Sequence, residues 1–223
     1  MGRTRRKLER GEPFRDSSLI LIATEGEKGE KAYFETLASR QFYADSRVRV
    51  YVVPSQSGKS SPEHVLENLK EAVREYDLGP DDTPFLIIDR DRWDERQLRT
   101  VAQQCDHCGF SFILSNPCFE LWLLVHKCDV SQLSQFEKDR ILENPRISKN
   151  RRHLEALLVQ ELGCYSKSNP RFKDIMPDVP AAISNASTLD FDPKKRWIEA
   201  LFTRVYLVVR RILNNSRSPT RSN

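Results

Sequence analysis

Four short apolar runs, each followed by a helical pattern, limit what the first half of this chain can become. They are "SLILIAT" (Ser18 to Thr24), "VRVYVV" (Val48 to Val53), "FLII" (Phe85 to Ile88) and "GFSFIL" (Gly109 to Leu114). Runs this short, bounded by polar or turn residues, suit strands, and those without polar alternation suit strands covered on both faces. Helical spacing fills the gaps, over roughly 27–39, 61–76 and 94–105, and "CFELWLLVH" continues as a buried helix over about 118–127. Ser61-Pro62-Glu63 opens its helix with a side-chain cap and a proline at the first helical position. Gly79-Pro80 stops it. Strand and helix alternating in this way predict an α/β fold, a mainly parallel sheet flanked by helices.

From Asp129 onward the strand pattern fades. Residues 134–143, 149–161 and 170–184 read as helices or helical turns, and 197–213 as a closing helix whose "RVYLVV" segment also fits a strand. The expected organisation is a basic tail over 1–16, an α/β core over 17–128, a helical C-terminal extension over 129–213 packed on that core, and a second tail over 214–223.

A chain that is 39% hydrophobic and 30% charged suits a soluble globular protein. No apolar run approaches the ~20 residues needed to span a bilayer. The basic N-terminus lacks the apolar stretch of a signal peptide, and Arg6 breaks the myristoylation pattern that Gly2 opens. Five cysteines, an odd number at irregular spacing, argue for a reducing, cytoplasmic setting rather than a disulfide framework. Cys105, His107 and Cys108 form half of a zinc pattern with no second half. The net charge of +4 is weak evidence of an anionic partner. The two basic ends suit phosphate contact or simple solubility equally well.

The chemistry gathers at strand ends. In open α/β sheets ligands collect beyond the carboxyl ends of the strands. Glu25 follows the first run, and Asp89 and Asp91 follow the third. Residues two apart in an extended segment face one side, so Asp89 and Asp91 are expected to converge with Arg90 turned away. Two close carboxylates repel, and a hard divalent cation, Mg²⁺ or Mn²⁺, relieves the repulsion. The competing reading is that one aspartate caps the next helix. Gly26 and Gly29 let the chain turn sharply after Glu25, while Glu27 and Glu30 suit the first turn of a helix. "SGKSS" (Ser57 to Ser61) is not a Walker A loop, because Val53 stands where the first glycine belongs.

"LIATEGEKGEKAYFETL", "FLIIDRDRWD" and "ILSNPCFELWLLVH" together resemble the RloB family, and "GCYSKSNP" and "TRVYLVV" extend the resemblance over roughly 18–212. That family has a Toprim fold and is related to the nuclease domains of overcoming-lysogenization-defect proteins. The resemblance implies a glutamate after strand one, matching Glu25, and a DxD after strand three, matching Asp89 and Asp91. It implies a Mg²⁺-dependent nuclease of bacterial anti-phage defence acting on DNA or RNA, tRNA included, often beside an ATPase partner. Self-association is a further expectation.

Four more positions complete the expected site. Glu120 is an acid inside an apolar run and is expected to serve the metal, against a solvent-facing alternative. Ser115 and Asn116 are candidates to hydrogen-bond substrate. Lys167 resembles a family lysine whose cation would offset charge on a phosphorane-like transition state. Beyond these, Arg151 and Arg152, directly before His153, suggest a surface for a nucleic-acid backbone. His126 either complements a helix dipole or serves a leaving oxygen. The rival reading from another class is a non-catalytic module that binds nucleic acid or a partner ATPase.

Overall fold

The runs that lack polar alternation become strands with both faces covered. A computed structural model of the chain describes residues 17–26, 28–43, 47–54, 60–163, 165 and 171–217. Both predicted tails in large part, most of "SGKSS" and Lys167 lie outside the described residues. The first half runs β1 (Ser18–Thr24), α1 (Gly29–Leu37), β2 (Val48–Val52), α2 (Pro62–Tyr76), β3 (Thr83–Asp89), α3 (Glu95–Cys108), β4 (Ser111–Asn116) and α4 (Glu120–Leu124). The second runs α5 (Gln135–Glu143), β5 (Arg146–Ser148), β6 (Arg151–Arg152), α6 (His153–Leu162), α7 (Val179–Leu189), β7 (Phe202–Thr203) and α8 (Val205–Arg217).

Among the described residues the main sheet has the order β2-β1-β3-β4-β7. Its first four strands are parallel, and β7 joins β4 antiparallel. Alternate residues of β1 and β3 face opposite layers. Ile20, Ile22, Phe85 and Ile87 pack with α1, α4 and the C-terminal helices. Leu19, Leu21, Leu86 and Ile88 pack with α2 and α3. The helix starts follow local chemistry: Ser61 caps α2 and Asp94 caps α3, each side chain accepting from the amide three residues on. No helix among the described residues is long and apolar enough to cross a membrane.

The C-terminal half is mostly helical, as its pattern predicts, but it also supplies three short strands. The predicted helix over 197–213 splits. Phe202–Thr203 is strand, "RVYLVV" from Val205 on is helix, and α8 continues to Arg217, past the predicted end. Arg204 explains the break. Its guanidinium donates to both carboxylate oxygens of Asp190 at 3.0 Å and to the carbonyl of Lys195 at 2.7 Å. Tyr206 also donates to Asp190, at 3.0 Å. This buried clasp gathers the loop after α7 and delivers β7 to the sheet.

That delivery corrects the reading of Ser115 and Asn116. The Ser115 hydroxyl is buried against Thr203 Oγ1 at 2.8 Å, and Asn116 Nδ2 donates to the carbonyl of Ala200 at 2.8 Å. Both side chains hold the β7 connection rather than face a ligand. His126 is likewise internal. It is buried between the Tyr33 hydroxyl at 3.1 Å and the Trp122 carbonyl at 2.9 Å, and burial lowers its pKa to about 4.

Breaking a buried ion pair on one side leaves an uncompensated charge. Asp190→Ala is therefore expected to cost about 3–5 kcal/mol of folding stability, measured by urea unfolding. A cost no larger than that of a surface substitution would contradict the role given to the clasp.

Candidate metal centre

The strand order reverses between β1 and β3, since β1 is followed by β2 on one side and β3 lies on the other. Such a switch point opens a crevice at the carboxyl ends of the two strands. Glu25 follows β1 and Asp89 ends β3, so the topology alone sets them at one place. A cavity of about 330 Å³ lies there. Glu25, Glu30, Asp89 and Glu120 line it together with Lys28, Arg92 and Tyr165.

Backbone hydrogen bonds stitch the β3 end to the β4 end. The amides of Arg90 and Asp91 both donate to the carbonyl of Pro117 at 3.0 Å, and the Asn116–Pro117 peptide is cis. The amide of Phe119 donates to Asp89 Oδ1 at 2.8 Å. Asp89 thus orders the entry to α4, whereas the helix that follows the aspartate pair in sequence, α3, is capped by Asp94 and by neither of them. The Phe119–Asp89 bond brings the flanking residues Cys118 and Glu120 beside Asp89. One ligand atom from each of Asp89, Cys118 and Glu120 lies within 4.8 Å of the others. Glu120 is 6% exposed and accepts from the Tyr165 hydroxyl at 3.3 Å.

Glu25 is held differently. One carboxylate oxygen accepts from Trp93 Nε1 at 3.0 Å and the other from Arg92 Nη1 at 3.2 Å. Burial nevertheless raises its pKa above the ordinary value, with those two donors opposing the shift. Glu30 accepts from the Gly26 amide at 3.1 Å. A Cβ on residue 26 would lie 1.8 Å from the Glu30 carboxylate, so glycine there lets this acid fold back over the turn.

Asp91 is not at the centre. It does not line the cavity, and its carboxylate faces Arg92 at 3.9 Å and Arg152 at 3.8 Å. Arg90 does turn away, and pairs with Glu199 at 2.6 Å. The ligand atoms that lie within 4.8 Å of one another belong to Asp89, Cys118 and Glu120, and Asp91 acts on Asp89 as a further negative charge. Arg151 is exposed on the hairpin above, and Arg152 is half-buried at its root.

The residues present fit a divalent cation. Burial, then Glu30, Glu120, Glu25 and Asp91, push the Asp89 carboxyl well above its ordinary range. Burial and the neighbouring Glu120 and Asp89 push up the Cys118 thiol as well. A cation offsets this concentrated negative charge, with the carboxylates offering the oxygen ligands that Mg²⁺ and Mn²⁺ prefer. Cys118 adds a softer donor. By contrast, Cys105 is buried, Cys108 is exposed, and neither belongs to the one metal-competent group among the described residues.

Sequence reasoning misses Lys28, Arg92, Trp93, Cys118 and Tyr165. Arg92 and Trp93 directly follow the acidic pair. Tyr165 lies in "GCYSKSNP", the block that also holds Lys167, and the sequence presents Cys118 only as part of a buried helix.

The fold and the pocket define a class: an α/β protein whose parallel sheet carries a buried, carboxylate-rich, metal-competent crevice at its switch point. The chain belongs to the RloB-like protein family, whose sequence model matches residues 20–212. Neither the curated proteins nor the solved structures contain a significant match to it.

A carboxyl with a raised pKa destabilises the folded state once it ionises. The cost is absent below the ordinary value of about 3.9 and grows as pH rises through it, becoming complete above the raised value. Asn at position 89 keeps the acceptor for the Phe119 amide. In EDTA, Asp89→Asn should therefore match the wild type in acid and gain in melting temperature over it as pH rises to neutral. A difference that stays flat with pH would contradict the electrostatic account.

Proposed function

We propose that this protein is a divalent-metal-dependent nuclease, of the Toprim type that the family resemblance implies, hydrolysing phosphodiester bonds of nucleic acid. The observation that carries the reading is the convergence of Glu25, Asp89 and Glu120 with the cations of Lys28 and Arg92 in one cavity, with the Cys118 thiol beside Asp89 and Glu120. Asp89, Glu120 and Cys118 are the residues that would hold the metal, with Asp91 at the rim. When bound, Mg²⁺ or Mn²⁺ supplies Lewis-acid polarisation of the phosphate and offsets its charge.

The chain's own groups account for the rest. Lys28 and Arg92 attract the anionic backbone into an otherwise acidic crevice and offset charge that builds on the phosphate oxygens. Glu25, whose pKa burial raises, is suited to serve as the proton acceptor. As water adds to phosphorus, one of its protons passes to a Glu25 carboxylate oxygen. The phosphorus–oxygen bond to the departing sugar breaks, and that oxygen takes a proton from solvent. Arg92 holds Glu25 in the resting arrangement and moves to the phosphate when substrate enters. Lys167 is a further candidate for the same electrostatic task. The setting we favour is bacterial anti-phage defence in the cytoplasm, with an ATPase partner and self-association as accompanying features.

A second reading is favoured by one observation. Both oxygens of Glu25 are already engaged by Arg92 and Trp93, as suits a module that binds nucleic acid or a partner ATPase without cutting.

The test is incubation with plasmid, single-stranded DNA and tRNA, with Mg²⁺ or Mn²⁺ against EDTA. We expect metal-dependent cleavage of at least one substrate, reduced on the order of 10²–10³-fold in Asp89→Asn and in Glu120→Gln. Cleavage that persists in EDTA, or at the wild-type rate in both variants, would overturn the proposal. Binding without cleavage in any arm would favour the second reading.

A further inference from the structure

We propose that the β5–β6 hairpin is the arm that seats a nucleic-acid backbone across the crevice, with a fixed root and a cationic, partly apolar tip. The inference rests on the nuclease reading and adds to it the element that holds the substrate.

Residues Arg146 to His153, "RISKNRRH", carry four Lys or Arg and no acid. The strands pair antiparallel, Arg146 opposite Arg152, with an irregular register that leaves Lys149 and Asn150 at the turn. Arg146, Ile147, Ser148, Lys149, Asn150 and Arg151 are all exposed. A hairpin built only to pack would turn a face inward, and this one does not.

The root is the opposite. Asn144 is buried in a left-handed conformation with φ of 41°, and its side-chain oxygen accepts from the Leu154 amide at 3.0 Å. Its Nδ2 contacts Cys118 Sγ at 3.6 Å, in the metal-competent group itself. The Pro145 carbonyl accepts from the His153 amide at 2.9 Å, and Arg152 Nη1 donates to the Asn144 carbonyl at 3.2 Å. The same guanidinium nitrogen of Arg152 stands 3.8 Å from Asp91. The hairpin therefore grows from the rim of the crevice, and its position is tied to two of the site's own residues.

Charge sets the partner. The crevice is strongly acidic, so a polyanion approaching it needs cations nearby, and the exposed Arg146, Lys149 and Arg151 are carried on a hairpin whose root is tied to Cys118 and Asp91. Phosphates spaced along a sugar–phosphate backbone match a short row of separate cations. Ile147, 48% exposed among these charges, gives an apolar surface suited to a sugar or base face.

The experiment measures binding in EDTA, so that cleavage plays no part. Labelled DNA duplex and labelled tRNA are titrated with wild type, with Lys149→Glu/Arg151→Glu, and with Ile147→Ser, over a range of salt. Arg152 is left intact because it holds the root, and thermal melts check that the exposed substitutions leave the fold unchanged. The charge-reversed protein is expected to bind about tenfold or more weakly. Its log-affinity against log-salt slope on duplex should be shallower by about 2, since each phosphate that a cation neutralises contributes about 0.9. Ile147→Ser should weaken binding without changing that slope. The nucleic acid with the larger drop in affinity identifies DNA or RNA as the backbone the hairpin holds. Wild-type affinity and slope in the charge-reversed protein would overturn this inference and leave the nuclease reading standing. A wild type that binds neither nucleic acid would overturn both.

Discussion

The hydrogen bond from the Phe119 amide to Asp89 Oδ1, at 2.8 Å, is the interaction on which the crevice depends. It joins the end of β3 to the entry of α4, where the chain leaves the sheet and becomes a fully buried helix. Cys118 and Glu120 lie on either side of Phe119, so the bond that settles the backbone also sets two further donors beside the carboxylate. A single acid thereby fixes local structure and assembles a ligand group. The cost is electrostatic, since Asp89 is half-buried beside four other carboxylates that resist its ionisation.

The sheet determines where that cost falls. Parallel strands with helices on both faces leave their carboxyl ends as the accessible backbone edge, and the reversal of strand order between β1 and β3 opens it. Glu25 comes to the same edge from the neighbouring strand. Lys28 from the turn after β1 and Arg92 from the turn after β3 bring positive charge back to the rim. An acidic interior with cationic lips suits a metal ion and an anionic ligand held together.

The parallel sheet was legible because unbroken apolar runs admit few alternatives. Glu25 and Asp89 were legible because strand ends are where such folds place chemistry. Asp91 shows the limit of that reasoning. Alternation of faces holds only while the chain is extended, and β3 ends at Asp89; the Trp93 amide then folds back to the Arg90 carbonyl at 3.3 Å. Past that turn, spacing by two no longer means a shared side, and Asp91 meets Arg152 instead. Ser115 and Asn116 mislead because nothing local announces β7. It is two residues long, and the Arg204–Asp190 clasp brings it in from a distant part of the chain. The β5–β6 hairpin is hidden for a related reason: its exposed strands have no apolar alternation to betray them, and only the pair of arginines stands out.

The central claim is that this buried acidic group chelates a divalent cation, and Mn²⁺ uptake tests it most directly. Paramagnetic resonance of free Mn²⁺ during a titration of the wild type should show a saturable site, lost when Asp89→Asn and Glu120→Gln are combined in a protein that still folds. Equal uptake by the wild type and that double variant, or none by the wild type, would contradict it.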